Sequence, residues 1–170
     1  MKAKWMLTAF FVIATSALAH AGGPPPMYVV VDKVLKDTGK KVPGWIQIWG
    51  TFTRAERSVD KAGNVSTVFS KPVYGYIYLS LPKNHDSKLI EELKDWEKAA
   101  GSGKAVAVGS CGDAGSMLKA PIHQPNEAVT QPDAVYTTEL LRLWGDLYAT
   151  GQLANQPEVK ALLKFSKERK

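Results

Sequence analysis

The chain holds a single cysteine, Cys111, in the stretch VAVGSCGD, with His85 and His123 on either side and a carboxylate close by at Asp113. A thiol attacks as the thiolate, and an imidazole, a cation or a helix N-terminus is what lowers its pKa. Cys111 with His123, oriented by Asp113, would make a small cysteine-dependent enzyme. The simpler reading is an ordinary thiol where an apolar strand breaks into glycines, since no hydrolase signature surrounds it and no C-x-x-C offers thiol exchange. A metal site would need Cys111, His85, His123 and a carboxylate to converge without any paired ligand spacing, so neither metal nor cofactor is expected. The pair Glu91-Glu92 falls on the solvated side of a helix. GSGKAVAVG lacks the G-x-x-x-x-G-K-[ST] frame and precedes a strand, the wrong order for receiving phosphate at a helix N-terminus.

The second candidate is a set of rings. In WIQIWGTFT, Ile46, Ile48, Gly50 and Phe52 fall on one face, and Trp45, Gln47, Trp49 and Thr51 on the other. VYGYIYLSL repeats the pattern, with Val73, Gly75, Ile77, Leu79 and Leu81 opposed to Tyr74, Tyr76, Tyr78 and Ser80. Period two marks both runs as strands with one buried face. If the aliphatic faces point inward, Trp45, Trp49, Tyr74, Tyr76 and Tyr78 line the other side, where aligned rings can stack on peptide side chains, sugars or bases. The competing reading makes this face a second core layer under a C-terminal helix, with the polar atoms of Trp and Tyr at its rim.

The elements that must position these rings follow from the rest of the chain. MKAKWMLTAFFVIATSALAHAGG has an early basic pair, an apolar stretch from Trp5 to Ala19 and small residues in A-x-A spacing, so residues 1–21 read as a secretory signal peptide. About 15 apolar residues are short of the roughly 20 needed to span a bilayer. Export to the periplasm or the medium is the expectation, and the remaining chain is the size of one ordinary domain. Even there, one cysteine makes no internal disulfide, so packing must supply the stability.

The formal charge of +6 sits at the ends. Residues 22–159 carry 15 basic and 15 acidic side chains, while Lys160 to Lys170 holds five basic and one acidic. A phosphate-tracking surface needs clustered Lys and Arg. The neutral body therefore argues against nucleic acid and leaves protein, peptide or glycan as partners. The end KALLKFSKERK could also make a weak contact with an anionic membrane, although cations commonly close a solvated helix terminus.

Along the chain, a Gly/Pro leader (22–26) precedes a strand in MYVVVDKVLK, ended by the turn residues of DTGKKVPG. RAERSVDKAGN, Arg54 to Asn64, is expected to connect the second strand to a third in VSTVFS, and Lys71-Pro72 interrupts before the tyrosine-rich strand. Asp86 to Ala100 changes to helical period, with Leu89, Ile90, Leu93, Trp96 and Ala100 on one side and Gly101 as stop. Ala105 to Gly109 is a short strand. Residues 114–136, with Pro121, Pro125 and Pro132, form a covering segment expected to hold short turns or an edge strand. Leu140, Leu141, Trp144, Leu147 and Tyr148 make a helical stripe, and a last helix is capped by Asn155 with Glu158 reaching back.

Strands, one helix, then a further strand is an order that resembles the oligonucleotide- and oligosaccharide-binding (OB) fold over Met27 to about Gly109. IQIWGTF, GYIYLSLP and WEKAAGSGKAVAVGS also resemble a pattern in small exported bacterial proteins of unknown function. The resemblance implies a small OB-like β-barrel or curved antiparallel sheet with one internal helix over residues 27–113; the C-terminal helical pair over 137–170, read from its own periodicity, lies outside the resemblance and completes an α+β chain. The expected role is an exported, non-enzymatic binding protein.

Overall fold

The computed structural model describes residues 27–39, 44–81, 87–108, 120–135 and 155–170. Within them the elements run β1 (Met27–Lys36), β2 (Trp45–Val59), β3 (Val65–Phe69), β4 (Val73–Ser80), α1 (Ser87–Ala99), β5 (Ala105–Val108), β6 (Ala134–Val135) and α2 (Pro157–Glu168). The strands make one open sheet in the order β5-β1-β2-β4-β6, with β3 beside β2 off this path. Every pairing is antiparallel except β4 with β6.

The architecture is thus α+β; of the two expected forms, barrel or antiparallel sheet, the sheet is open, since hydrogen bonds among the described residues do not close it into a barrel. Its edges are strands of only four and two residues, too short to present much of a ladder to each other. Of the expected C-terminal helical pair, α2 is observed, while the stripe Leu140 to Tyr148 lies outside the described residues. So do residues 1–21, read as a signal peptide, and the Gly/Pro stretch 22–26.

β2 corrects the reading of Arg54 to Asn64 as a connector. It continues to Val59, pairing residues 46–54 with β1 on one side, and on the other pairing first with β4 and then with β3. Charged residues are poor strand formers in isolation, but pairing with β3 overrides that preference. The turn itself is Asp60 to Asn64. The Asp60 carboxylate accepts from Ala62 N–H, Asn64 N–H and the Asn64 amide, each at 2.8 Å, and Gly63 supplies the positive φ. Pro72 breaks the outer strand as expected, and Ser70 bridges the gap by bonding Arg54 and Thr53 of β2.

One face of the sheet packs on α1. Met27, Val29, Val31, Ile46, Ile48, Phe52, Ile77 and Leu79 meet Leu93, Trp96 and Ala99, and Trp96 is fully buried. Gly101 ends the helix at φ 72° and its N–H donates to the carbonyl of Val31 at 3.0 Å. That carbonyl sits where the register between β1 and β2 slips by one, between Val31 and Lys33. The other face of β1 and β5, with Tyr28, Val30 and Ala107, packs on Val159 and Leu162 of α2. The expected Asn155 cap is replaced: Gln156 is the N-cap without a side-chain capping bond, and Pro157 opens the helix. The Gln156 side chain instead accepts from the Tyr28 hydroxyl at 2.9 Å.

Candidate functional site

The alternation of β2 and β4 does what the sequence predicts: it sends the aliphatic residues into the α1 core and the rings to the opposite face. Cross-strand register sets Trp45 opposite Ser80, Trp49 opposite Tyr76, and Thr51 opposite Tyr74. Trp49 stacks on Tyr76 with centroids 4.5 Å apart and planes 20° from parallel, and Tyr74 flanks it at 6.4 Å. Trp45 meets Tyr78 edge-on at 5.4 Å. All five predicted residues therefore form one band of rings. They differ in depth: Trp45, Trp49 and Tyr74 are half-buried, whereas Tyr76 and Tyr78 are buried. The buried pair lies beneath the strip, and the half-buried three keep part of their surface accessible. Burial, with the charge of Asp37 and the neighbouring Tyr76, raises the Tyr78 phenol above its usual value and keeps it neutral.

The upper end of the strip carries charge that periodicity does not reveal. The slip after Val31 is a β-bulge, which adds a residue to one strand and re-aims the side chains around it. Lys33 rises over the Trp49 ring, its ammonium 4.5 Å from the centroid. Asp32 pairs with Arg169, just past the end of α2, and the Arg169 guanidinium lies 3.5 Å above the Tyr74 ring. Arg169 and Lys170 are thereby directed to Asp32, while Lys160, Lys164 and Lys167 remain on the exposed side of α2.

Beside Tyr76 the chain returns as an edge segment. His123 exchanges two backbone hydrogen bonds with Tyr76, at 2.8 and 3.0 Å, and its buried ring lies between carboxylates. Nδ1 is 2.8 Å from Glu127 Oε1, and Nε2 bonds Asp133. The Tyr76 hydroxyl donates to the Glu127 carbonyl at 2.6 Å. An imidazole can donate from both nitrogens only as the cation. Burial opposes that charge, but the bonds to Asp133 and Glu127 and their charges outweigh it and raise the His123 pKa above 6.5. The Glu127 carboxyl is held below its usual value, chiefly by the bond to His123.

A pH dependence follows. Because the folded His123 pKa lies above the unfolded one, its stabilisation is complete below about pH 6.5 and fades as pH rises through the folded value. The Glu127 contribution runs the other way, present above its unfolded pKa and lost as pH falls through the folded one. Urea midpoints are expected to decline from pH 6 toward pH 9 in the native chain and to flatten over that range in His123→Gln. An equal slope in the variant would refute the assignment.

Sequence reasoning paired His123 with Cys111 and Asp113, which lie outside the described residues, as does His85. Both ring nitrogens of His123 are bonded to Glu127 and Asp133, so a thiol could reach the ring only by displacing one of them. Among the described residues, no group of three or more His, Cys, Asp or Glu is placed to hold a metal ion. No protein-family model, no curated protein and no solved structure matches this chain. The geometry of the aromatic face therefore carries its functional reading.

Proposed function

We propose that this chain is an exported, non-enzymatic binding protein whose aromatic strip takes a protein, peptide or glycan segment. The observation that carries the reading is the contrast between the two faces of β2 and β4. The aliphatic face is sealed on α1, while Trp45, Trp49 and Tyr74 stay half-exposed on strands that hold them rigid. Rings of this kind offer large contact area at small cost in side-chain entropy. The strand order, with α1 between β4 and β5, supports an open OB-like arrangement, in which ligands lie on the face of the second and third strands, here β2 and the outer strand that Pro72 divides into β3 and β4. The neutral body of the chain favours peptide or glycan over nucleic acid. The basic, apolar and small-residue pattern of residues 1–21 supports export.

The test is a panel of immobilised peptides and glycans probed with the native chain, Trp45→Ala and Trp49→Ala. Losing one stacking ring is expected to weaken a bound ligand by about tenfold, the effect of 1–3 kcal/mol per ring, while the circular dichroism spectrum is kept. If both variants unfold, or if both bind unchanged, the strip is not the binding surface.

A further inference from the structure

At the upper end of the strip the chain's own Arg169 meets both Asp32 and Tyr74. Arg169 places its guanidinium carbon 3.5 Å from the Tyr74 ring centroid and donates from one nitrogen, Nη2, to Asp32 Oδ2. The second carboxylate oxygen, Oδ1, is buried and accepts no hydrogen bond among the described residues, with Lys170 Nζ 3.6 Å away. Thr51, fully buried and directly across from Tyr74 on β2, likewise has a hydroxyl without a partner among the described residues. Such groups are costly to bury unpaired. A guanidinium has five donors in a rigid fork suited to both oxygens of a carboxylate, and Arg169 uses only part of that capacity.

The two halves of this contact differ in character. Asp32 is fixed by the bulge in β1 and Tyr74 by the middle of the sheet, whereas Arg169 follows the last turn of α2, where helix ends fray. A half-used site in a rigid sheet, occupied by a group at a helix end, has the form of a receptor holding a weak ligand in cis.

We propose that Asp32, Thr51 and Tyr74, next to Trp49, form an arginine-binding site, and that an arginine side chain of a peptide partner displaces Arg169 from it. The proposal rests on the reading of the strip as a binding surface and names peptide as the ligand class. A ligand competing with an internal occupant binds with its intrinsic affinity reduced by the fraction of molecules in which the site is open.

The experiment uses the full chain and N-acetyl-arginine amide as probe, followed by tryptophan fluorescence and amide chemical shifts. Arg169→Ala is expected to bind the probe about tenfold more tightly than the native chain, the gain that corresponds to a site open in about one molecule in ten. N-acetyl-lysine amide should gain less, and adding Tyr74→Leu should abolish the gain. If Arg169→Ala proves unfolded, Arg169→Lys serves in its place, since its ammonium still meets Asp32 but gives up the guanidinium contact with the Tyr74 ring, and a smaller gain is expected. A folded variant with no gain, or a gain that survives Tyr74→Leu, overturns the arginine site. In that event unchanged ligand binding at Trp45 and Trp49 would leave the broader proposal standing, and its simultaneous loss would remove both.

Discussion

Trp96→Ala is expected to lower the unfolding free energy by about 3–5 kcal/mol, the range for removing a large buried aromatic side chain. Trp96 is fully buried in α1, between Leu93 and Ala99, and packs into the core that β1, β2 and β4 share. The loss combines the transfer energy of the indole with an unfilled cavity, because strands held by ladders on both sides collapse little. Against a typical total of about 5–15 kcal/mol, this approaches unfolding at physiological temperature. The contrast is Glu97→Ala on the outer side of the same helix, which breaks the exposed ion pair with Lys36 and should cost less than about 1 kcal/mol. Chemical denaturation of the two variants checks the pair. Similar losses would mean that α1 is not anchored through Trp96.

Gly50→Ala and Gly75→Ala form the second large expectation, with different reach. The two glycines face each other across β2 and β4 on the core side of the sheet. A Cβ at Gly50 would run into the carbonyl oxygen of Val30, and one at Gly75 into that of His123. Both obstacles are backbone, so neither can swing aside as a flexible side chain would. At Gly50 the yielding element is β1, the strand packed by α1 on one face and α2 on the other, and the expected cost is global, about 3 kcal/mol. At Gly75 the yielding element is the edge segment. Its two backbone bonds to Tyr76 should break, releasing the Glu127 and Asp133 bonds with them, while the α1 core survives. Hydrogen exchange separates the cases: Gly75→Ala should speed exchange at Tyr76 and His123 and spare β1, whereas Gly50→Ala should lower protection throughout the sheet. Uniform protection in both variants would contradict this division.

How legible each feature was depended on whether it leaves a period in the sequence. β1, β4 and α1 were readable within a residue or so because the core imposes alternation on the strands and a 3.6-residue stripe on the helix. The aromatic face was readable for the same reason, down to its five residues, but not the depth of each ring. Tyr76 is buried by its contact with His123, some fifty residues later, and period two says nothing about what lies beyond a strand. The outer half of β2 was missed because Arg54, Glu56 and Arg57 look like loop residues until β3 lies beside them. The bulge that sets Asp32 against Arg169 and Lys33 over Trp49 is a single extra residue, which a period cannot register. The His123, Glu127 and Asp133 grouping had no readable signature either, since its spacing of four and ten residues is set by a loop with two prolines.

The pairing of β1 with α2 also bears on how the chain reaches this state. Tyr28 bonds Gln156 across 128 residues, and Asp32 meets Arg169 across 137. β1 joins β5 only after α1 has intervened. An early strand whose second face waits for a late helix gives a high contact order, and loop closure over such spans slows folding. A partly synthesised chain ending before residue 157 would carry Tyr28 and Val30 without Val159 and Leu162 to cover them. The α1 side of β1 can pack as soon as α1 is available, so covering its second face by α2 is the late step, and β1 is complete only when the last residues of the chain are in place.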